Sequence, residues 1–304
     1  MTLVIAGHNI KKDESRPDCK GSRSGLFVAA DSTITSGRQT LLSGFKKVYG
    51  VPISVYQPTF AGGQFRGYHG VKLHTNCFIA FAGSTITAQH ILNGVTNHLG
   101  ALQYVHRSKG FGIPGTYHVQ MPCEPNRLLD SGIVWEEDMF LDSDLRNLLS
   151  GQTVAKTILH VLQVALGDAK RHKIDQAGWE SLLTQYVLGT FCEVDQCDKL
   201  YVFKPRFVYD GQQVVDIKID HKEIRAGELV VLGMMQFEPR ARTLYQEAFE
   251  AGQDVMKAMF DFLNLAIDEV QASGRLEIDR PSVLRFFQRG ELVELDRANG
   301  RGER

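Results

Sequence analysis

Gly25-Leu26-Phe27-Val28-Ala29-Ala30-Asp31-Ser32 is an apolar run stopped by a carboxylate. The run is too short for a helix, and the polar Asp31-Ser32-Thr33 closes it, so a buried strand ending at Asp31 is expected. Taken alone, a strand-end aspartate is an ordinary turn residue. Sixteen residues later Lys46-Lys47 opens a second apolar run, Val48 to Val55. A lysine at a strand start is usually solvated. If Lys47 turns inward it needs a partner, because an unpaired buried charge is costly, and Asp31 is the candidate.

Leu3 to Ala6 reads as a further short buried strand, so the chain start is expected to be tied down. It places Thr2 at the mouth of that strand. Many chains begin Met-Thr, so the residue says little by itself. Its chemistry is specific, however. Removal of Met1 exposes an α-amine on the residue that carries the hydroxyl, and such an amine, with an ordinary pKa of about 7.7–8.0, can serve as a general base without histidine. Phe81-Ala82-Gly83-Ser84-Thr85 runs from a strand through glycine into a helix. Close packing with a cap at Ser84 or Thr85 explains it simply. A backbone N–H at a helix start can also stabilise developing negative charge.

Cys77 to Phe81 pairs in this reading with Val48 to Val55. Ala88, Ile91, Leu92, Val95 and Leu99 recur at helical spacing, as do Val154, Ile158, Val161, Leu162 and Ala165. Strands are expected at Tyr186–Phe191, Lys199–Phe203, Val214–Ile219 and Glu228–Leu232. Helices follow at about 240–251 and 254–271, then a closing hairpin around Arg289-Gly290. Strands, helices, strands, helices, strands make an α+β order, not alternating β-α-β. Three stretches read as insertions in one domain spanning 1–304: about 10–23, charged with Pro17 and Gly21; about 56–75, rich in glycine and aromatics and read as a loop; and about 101–150, with Gly110 to Gly115 and Pro122 to Pro125, read as largely irregular.

Composition narrows the function. The 304 residues carry 34 basic and 35 acidic side chains, so nothing marks a nucleic-acid or membrane partner. No segment approaches the ~18 apolar residues of a membrane span. The N-terminus lacks the basic region of a signal peptide. Five cysteines form no dense framework, and a reducing, cytoplasmic setting is expected. Cys192 and Cys197, four residues between them, have no second pair with ligand spacing, so no metal and no cofactor is expected. Neither G-x-S-x-G, H-E-x-x-H nor a phosphate-binding glycine loop occurs.

Taken in order, Thr2, Gly25 to Ser32, Lys46-Lys47-Val48 and Ile79-Ala-Phe-Ala-Gly83-Ser84 resemble the proteasome β-subunit superfamily, including the HslV-type N-terminal-nucleophile (Ntn) peptidases and their bacterial proteasome-like relatives. The later Glu228-Leu-Val-Val-Leu-Gly233 strand, leading into a helix, is similar too. The resemblance implies a four-layer αββα sandwich and a threonine endopeptidase of a self-compartmentalising protease. Its implied catalytic set is Thr2 as nucleophile with its own amine as base, Lys47 lowering the nucleophile's pKa, Asp31 orienting Lys47, and the Gly83 N–H as oxyanion donor. Thr35 would hold the substrate backbone as an added strand. Ile34, Phe45, Tyr49, Phe81 and Thr85 would line an apolar pocket preferring small or medium hydrophobic residues. A homo-oligomeric ring or spiral, a polypeptide substrate and an ATPase unfoldase are the implied partners.

Three positions depart from that pattern. Met234 stands where the superfamily has serine after the glycine, Val270 replaces an aspartate, and Thr33 replaces an arginine. Asp268 is the nearest substitute carboxylate. Two alternatives therefore stand beside the peptidase: an inactive structural ring subunit, and an amidase acting on small amides through the same nucleophile.

Overall fold

A computed structural model describes residues 2–11, 22–36, 39–107, 115–129, 134–135, 137–169, 171–172 and 174–299. The N-terminal half contains β1 (Leu3–Lys11), β2 (Ser22–Asp31), β3 (Ile34–Ser36), β4 (Gln39–Leu42), β5 (Val48–Ala61), β6 (Gln64–Ala82), α1 (Thr85–Leu99), β7 (Leu102–Arg107) and β8 (Thr116–Gln120). The remainder contains α2 (Gly151–Ala169), α3 (Gln176–Ser181), β9 (Gln185–Cys192), β10 (Cys197–Asp210), β11 (Gln213–Ile224), β12 (Leu229–Gly233), α4 (Glu238–Glu250), α5 (Val255–Ala272), β13 (Ser282–Gln288) and β14 (Glu291–Ala298).

Five strands form one sheet in the order β12-β1-β2-β13-β14, and seven form another in the order β11-β10-β9-β6-β5-β7-β8; β3 and β4 make a separate hairpin. β1 is buried over nearly its whole length because it is flanked by β12 and β2 and covered on its faces. That is why its apolar residues run on without alternation. Helices α1 and α2 pack on the larger sheet through Ala88, Ile91, Val95, Val154 and Ile158. Helices α4 and α5 pack on the smaller one through Ala241, Tyr245, Met259, Leu263 and Ile267. A third apolar cluster draws Val4, Leu26 and Val28 from one sheet and Phe78, Ala80 and Val187 from the other. The helix starts follow ordinary capping chemistry: the Ser84 side chain accepts from the Thr87 N–H, and Asp254 accepts from Met256 and Lys257.

The four-layer αββα sandwich expected above is corrected by this architecture. Among the described residues the chain is a strand-rich α+β fold, 29% helix and 45% strand, with two sheets, one of them a curled half-barrel. The reason lies in β5 and β6. The stretch from Gln57 to Gly70, read as a loop, continues both strands, which are 14 and 19 residues long. Gly62 and Gly63, at φ 61° and 72°, join them. Two left-handed residues in a row make the tight hairpin turn whose twist matches the flanking strands. Register shifts at Val55/Tyr56, Gln57/Pro58 and Thr59/Phe60 bend the pair, and each such bulge adds local twist. Beyond the bulges it is an aromatic cluster that covers the sheet. Phe60 packs on Phe140 at 5.4 Å and on Trp135 at 6.0 Å, and Trp135 N–H donates to the Gly63 carbonyl.

The 101–150 stretch is less irregular than expected, since it supplies β7 and β8 and two 3₁₀ turns at Arg127–Leu129 and Glu137–Phe140. The insertion at about 10–23 lies mostly outside the described residues. No helix among the described residues is long and apolar enough to cross a membrane.

Candidate active site

Both sheets contribute to the surroundings of Thr2. The residue sits just ahead of β1 and is 6% exposed. Its carbonyl accepts from the Met234 N–H at 3.0 Å, where β12 ends. Gly233 is opposite Leu3 in the β1–β12 register. It holds φ at +85°, and a Cβ there would fall 1.8 Å from the Thr2 carbonyl oxygen. Only glycine allows this approach, so Gly233 sets how closely the chain start seats against β12.

One residue on, the Leu3 N–H donates to Asp31 Oδ1 at 2.8 Å. The second carboxylate oxygen accepts from Lys47 Nζ at 2.7 Å and from the Thr33 N–H at 3.2 Å. Asp31 is 1% exposed and Lys47 4%. The last residue of β2 therefore ties together the chain start, its own following turn and the residue that precedes β5. The two adjacent lysines divide as the pairing argument requires. Lys47 turns inward to Asp31, whereas Lys46 is exposed with its Nζ 4.9 Å above the Tyr49 ring. Burial pulls the Lys47 ammonium below its ordinary pKa, and the attraction and hydrogen bond of Asp31 work against that shift.

Gly83 lies between β6 and α1 with φ at +138°, and an added Cβ would meet Thr184 Cα at 2.8 Å. The Ser84 N–H donates to Thr184 Oγ1 at 3.0 Å. Next to Thr184, Gln185 Oε1 accepts from the Gly233 N–H at 3.2 Å. Thr184 and Gln185 thus brace the glycine turn and the end of β12 from the start of β9. Sequence reading did not single them out; the only signal was their place just before the Tyr186 strand.

Three of the expected pocket residues gather. Phe81 stacks with Tyr49 at 6.2 Å and meets Phe45 edge-on at 6.3 Å. The Phe45 N–H donates to the Ser32 carbonyl at 2.7 Å, which fixes this aromatic group close to Asp31 in the chain. Ile34 is half-buried at the start of β3, opposite Leu42. Thr35 follows it, its backbone paired with Thr40 of β4. Thr85 is half-buried as the first residue of α1.

The departing positions have apolar roles. Met234 and Val270 are buried in the cluster between the smaller sheet and its helices. Asp268 is engaged by Arg280 through bonds of 2.7 and 3.0 Å. Thr33 is 1% exposed, and its hydroxyl has no partner among the described residues.

No protein-family model and no curated protein matches the chain. Among solved structures it is similar to a (Gly-1) mutant of Anbu from Hyphomicrobium sp. strain MC1, at 11% identity and a TM-score of 0.49, over 98% of this chain and 87% of that one. Anbu from the same strain aligns at 10% identity and a TM-score of 0.49, over 98% and 88%. Anbu from Yersinia bercovieri, described as an ancestral beta-subunit, aligns at 11% identity and a TM-score of 0.43, over 94% and 80%. These findings correct the assignment to the proteasome β-subunit and HslV-type superfamily that the motifs suggested, since the structures found are Anbu and the likeness is remote. The motif residues constrain a few strand ends, while the bent β5–β6 pair and the segment after α1 are free to differ. At this distance the comparisons place the chain in no family.

Proposed function

We propose that this chain is a hydrolase of amide bonds whose nucleophile is Thr2, made N-terminal by removal of Met1. The observation that carries the reading is the Asp31 carboxylate, which holds the Leu3 N–H at 2.8 Å and Lys47 Nζ at 2.7 Å. A single buried group thereby fixes a lysine and the peptide unit adjoining Thr2 in one frame. Such a frame suits a nucleophile that carries its own base. The free α-amine takes the proton of the Thr2 hydroxyl, the oxygen attacks the carbonyl, and the protonated amine passes the proton to the leaving nitrogen. Water then hydrolyses the ester with the amine again as base. The Lys47 ammonium favours the alkoxide-like transition state, and Asp31 keeps that ammonium oriented. The Gly83 N–H is assigned to the oxyanion.

Peptides are the proposed substrates. Phe45, Tyr49 and Phe81, with Ile34 and Thr85, offer an apolar surface for the residue before the cut. The Thr35 backbone offers an edge for the substrate main chain. Small or medium hydrophobic residues are expected there in preference to charged ones.

Intact mass and electrophile labelling test the reading together. The protein should lack Met1, and Thr2 should take up an epoxyketone with loss of peptide cleavage. Thr2→Ala should abolish both without unfolding the protein, because the Thr2 carbonyl that accepts from the Met234 N–H is kept in the variant. Retention of Met1, or equal cleavage by the variant, sinks the proposal.

A second reading has its own observation. Met234 and Val270 put apolar side chains in the core where the motif pattern had polar ones, which favours a subunit that assembles without cutting. Absence of labelling in a protein that has lost Met1 supports that alternative.

A further inference from the structure

Helices α1 and α2 cross unusually closely at Gly94. A Cβ on that residue would lie 2.8 Å from Val161 Cγ1. One turn after Gly94, α1 carries His98; one residue before Val161, α2 carries His160. The close crossing brings the two rings to 5.5 Å between centroids. The turn Met121-Pro122-Cys123-Glu124, closed by the Glu124 N–H to the Met121 carbonyl at 3.1 Å, lays Cys123 over the pair. Cys123 Sγ is 3.4 Å from His160 Nε2. One ligand atom from each of His98, Cys123 and His160 falls within 4.8 Å of the other two, with both histidines half-buried and the cysteine exposed.

We propose that these three residues form a site for a zinc-type divalent cation, with a fourth position open to water or a small ligand. The chemistry of the set matches. A thiolate and two imidazoles are preferred zinc donors, and three protein ligands with one open position is a recurrent coordination. His98 is already oriented for the task, since its Nδ1 lies 2.9 Å from the Gly94 carbonyl. With Nδ1–H donating there, the Nε2 lone pair is the one offered, which is how a backbone carbonyl commonly sets the tautomer of a metal-bound histidine. Tetrahedral bonds of about 2.0–2.1 Å to nitrogen and 2.3 Å to sulfur put donor atoms roughly 3.4–3.7 Å apart. The Cys123–His160 pair stands at 3.4 Å already, and the His98 ligand atom lies within 4.8 Å of both. The other cysteine pair lacks this setting, as Cys192 Sγ donates to Asp195.

The site would clamp the segment that follows β8 onto the α1–α2 pair. None of its residues belongs to the Thr2 site, so it stands whether or not that site is catalytic. The spacing of 98, 123 and 160 matches no metal motif, because the three donors come from two helices and a turn.

Cobalt(II) titration of the full-length, metal-stripped protein tests it. One equivalent per chain should give the visible bands of tetrahedral cobalt and a thiolate-to-cobalt charge-transfer band, both removed by one equivalent of zinc. Cys123→Ser should lose the charge-transfer band, while Cys192→Ser keeps it. His98→Gln and His160→Gln should each weaken binding at least about tenfold, the loss that even outer partners of a metal ligand can cause. Zinc should raise the unfolding midpoint of the parent protein and not that of Cys123→Ser. No cobalt band in the parent protein, or an undiminished one in Cys123→Ser, overturns the proposal.

Discussion

Two lysine–carboxylate pairs of identical chemistry occupy opposite settings in this molecule. Lys47 meets Asp31 at 2.7 Å with side chains 3% and 0% exposed; Lys199 meets Asp195 at 2.5 Å with side chains 19% and 49% exposed. Burial is the largest influence on both lysines. At Lys47 it prevails, and the ammonium is pulled below its ordinary pKa against the pull of Asp31. At Lys199 burial is outweighed by the hydrogen bond to Asp195 and the attraction of Glu223 and Asp195, so the pKa rises. Carboxylate contacts alone therefore do not reveal what a lysine does. The inner pair is an expensive arrangement that stability alone would not select, and its Asp31 also holds the chain start. The outer pair is ordinary surface chemistry.

The largest expected effect separates the two pairs by activity. Under the proposed mechanism, Thr2→Ala and Lys47→Met each lower kcat/KM for a hydrophobic peptide by at least about 10³-fold, as loss of a unit of catalytic machinery does. Lys199→Met leaves it unchanged. Equal losses at both lysines in a steady-state assay would remove the distinction.

Next comes stability. Asp31→Asn leaves the buried ammonium without its counter-charge and should cost about 3–5 kcal/mol in urea unfolding. Asp195→Asn should leave the midpoint where it was. A smaller effect is expected at the brace of the glycine turn. Thr184→Val strands the Ser84 N–H, for about 1–3 kcal/mol, with kcat affected more than KM if the Gly83 turn serves the oxyanion.

The smallest effect is one of sign with pH. The folded state holds the Lys47 proton less tightly than the unfolded chain does. As pH rises from below the depressed folded pKa to the ordinary lysine value of about 10.5, the folded state deprotonates first and the penalty of burying the charge is relieved. Lys47 therefore adds a contribution to stability that increases over that window. Lys199 adds one that is present below the ordinary lysine value and is lost as pH climbs through the raised folded pKa. Urea midpoints should climb less steeply with pH up to about 10.5 in Lys47→Met, and fall less steeply above that value in Lys199→Met. Slopes of the same sign would show that the two settings do not differ as described.

Much of the inner pair was readable in advance. A carboxylate closing an apolar run, a lysine opening the next and a helix cap after Gly83 all follow from local pattern, and Ser84 caps α1 as its position suggests. The grouping of Phe81 with Phe45 and Tyr49 was expected only from the family resemblance, since Phe45 precedes β5 and no local pattern places it. The continuation of β5 and β6 did not follow, since glycine-rich aromatic sequence reads as loop unless the tight turn at Gly62-Gly63 is recognised. Thr184, Gln185 and the His98–Cys123–His160 group were equally hidden, being near one another only through chain crossings.

By itself the sequence determined most strands and helices outside about 56–75 and 101–150, that Lys47 would need Asp31 if buried, and that Thr2 would head a core strand. These are consequences of local periodicity and of the cost of an isolated charge. Tertiary structure decided that one sheet curls into a half-barrel instead of the regular sandwich expected, and that bulges and a glycine turn act on the twist of the long β5–β6 pair. It also decided that Leu3 and Lys47 share one carboxylate and that two helices approach closely enough for their histidines to meet. Distances between residues far apart in the chain depend on packing, which no single segment encodes.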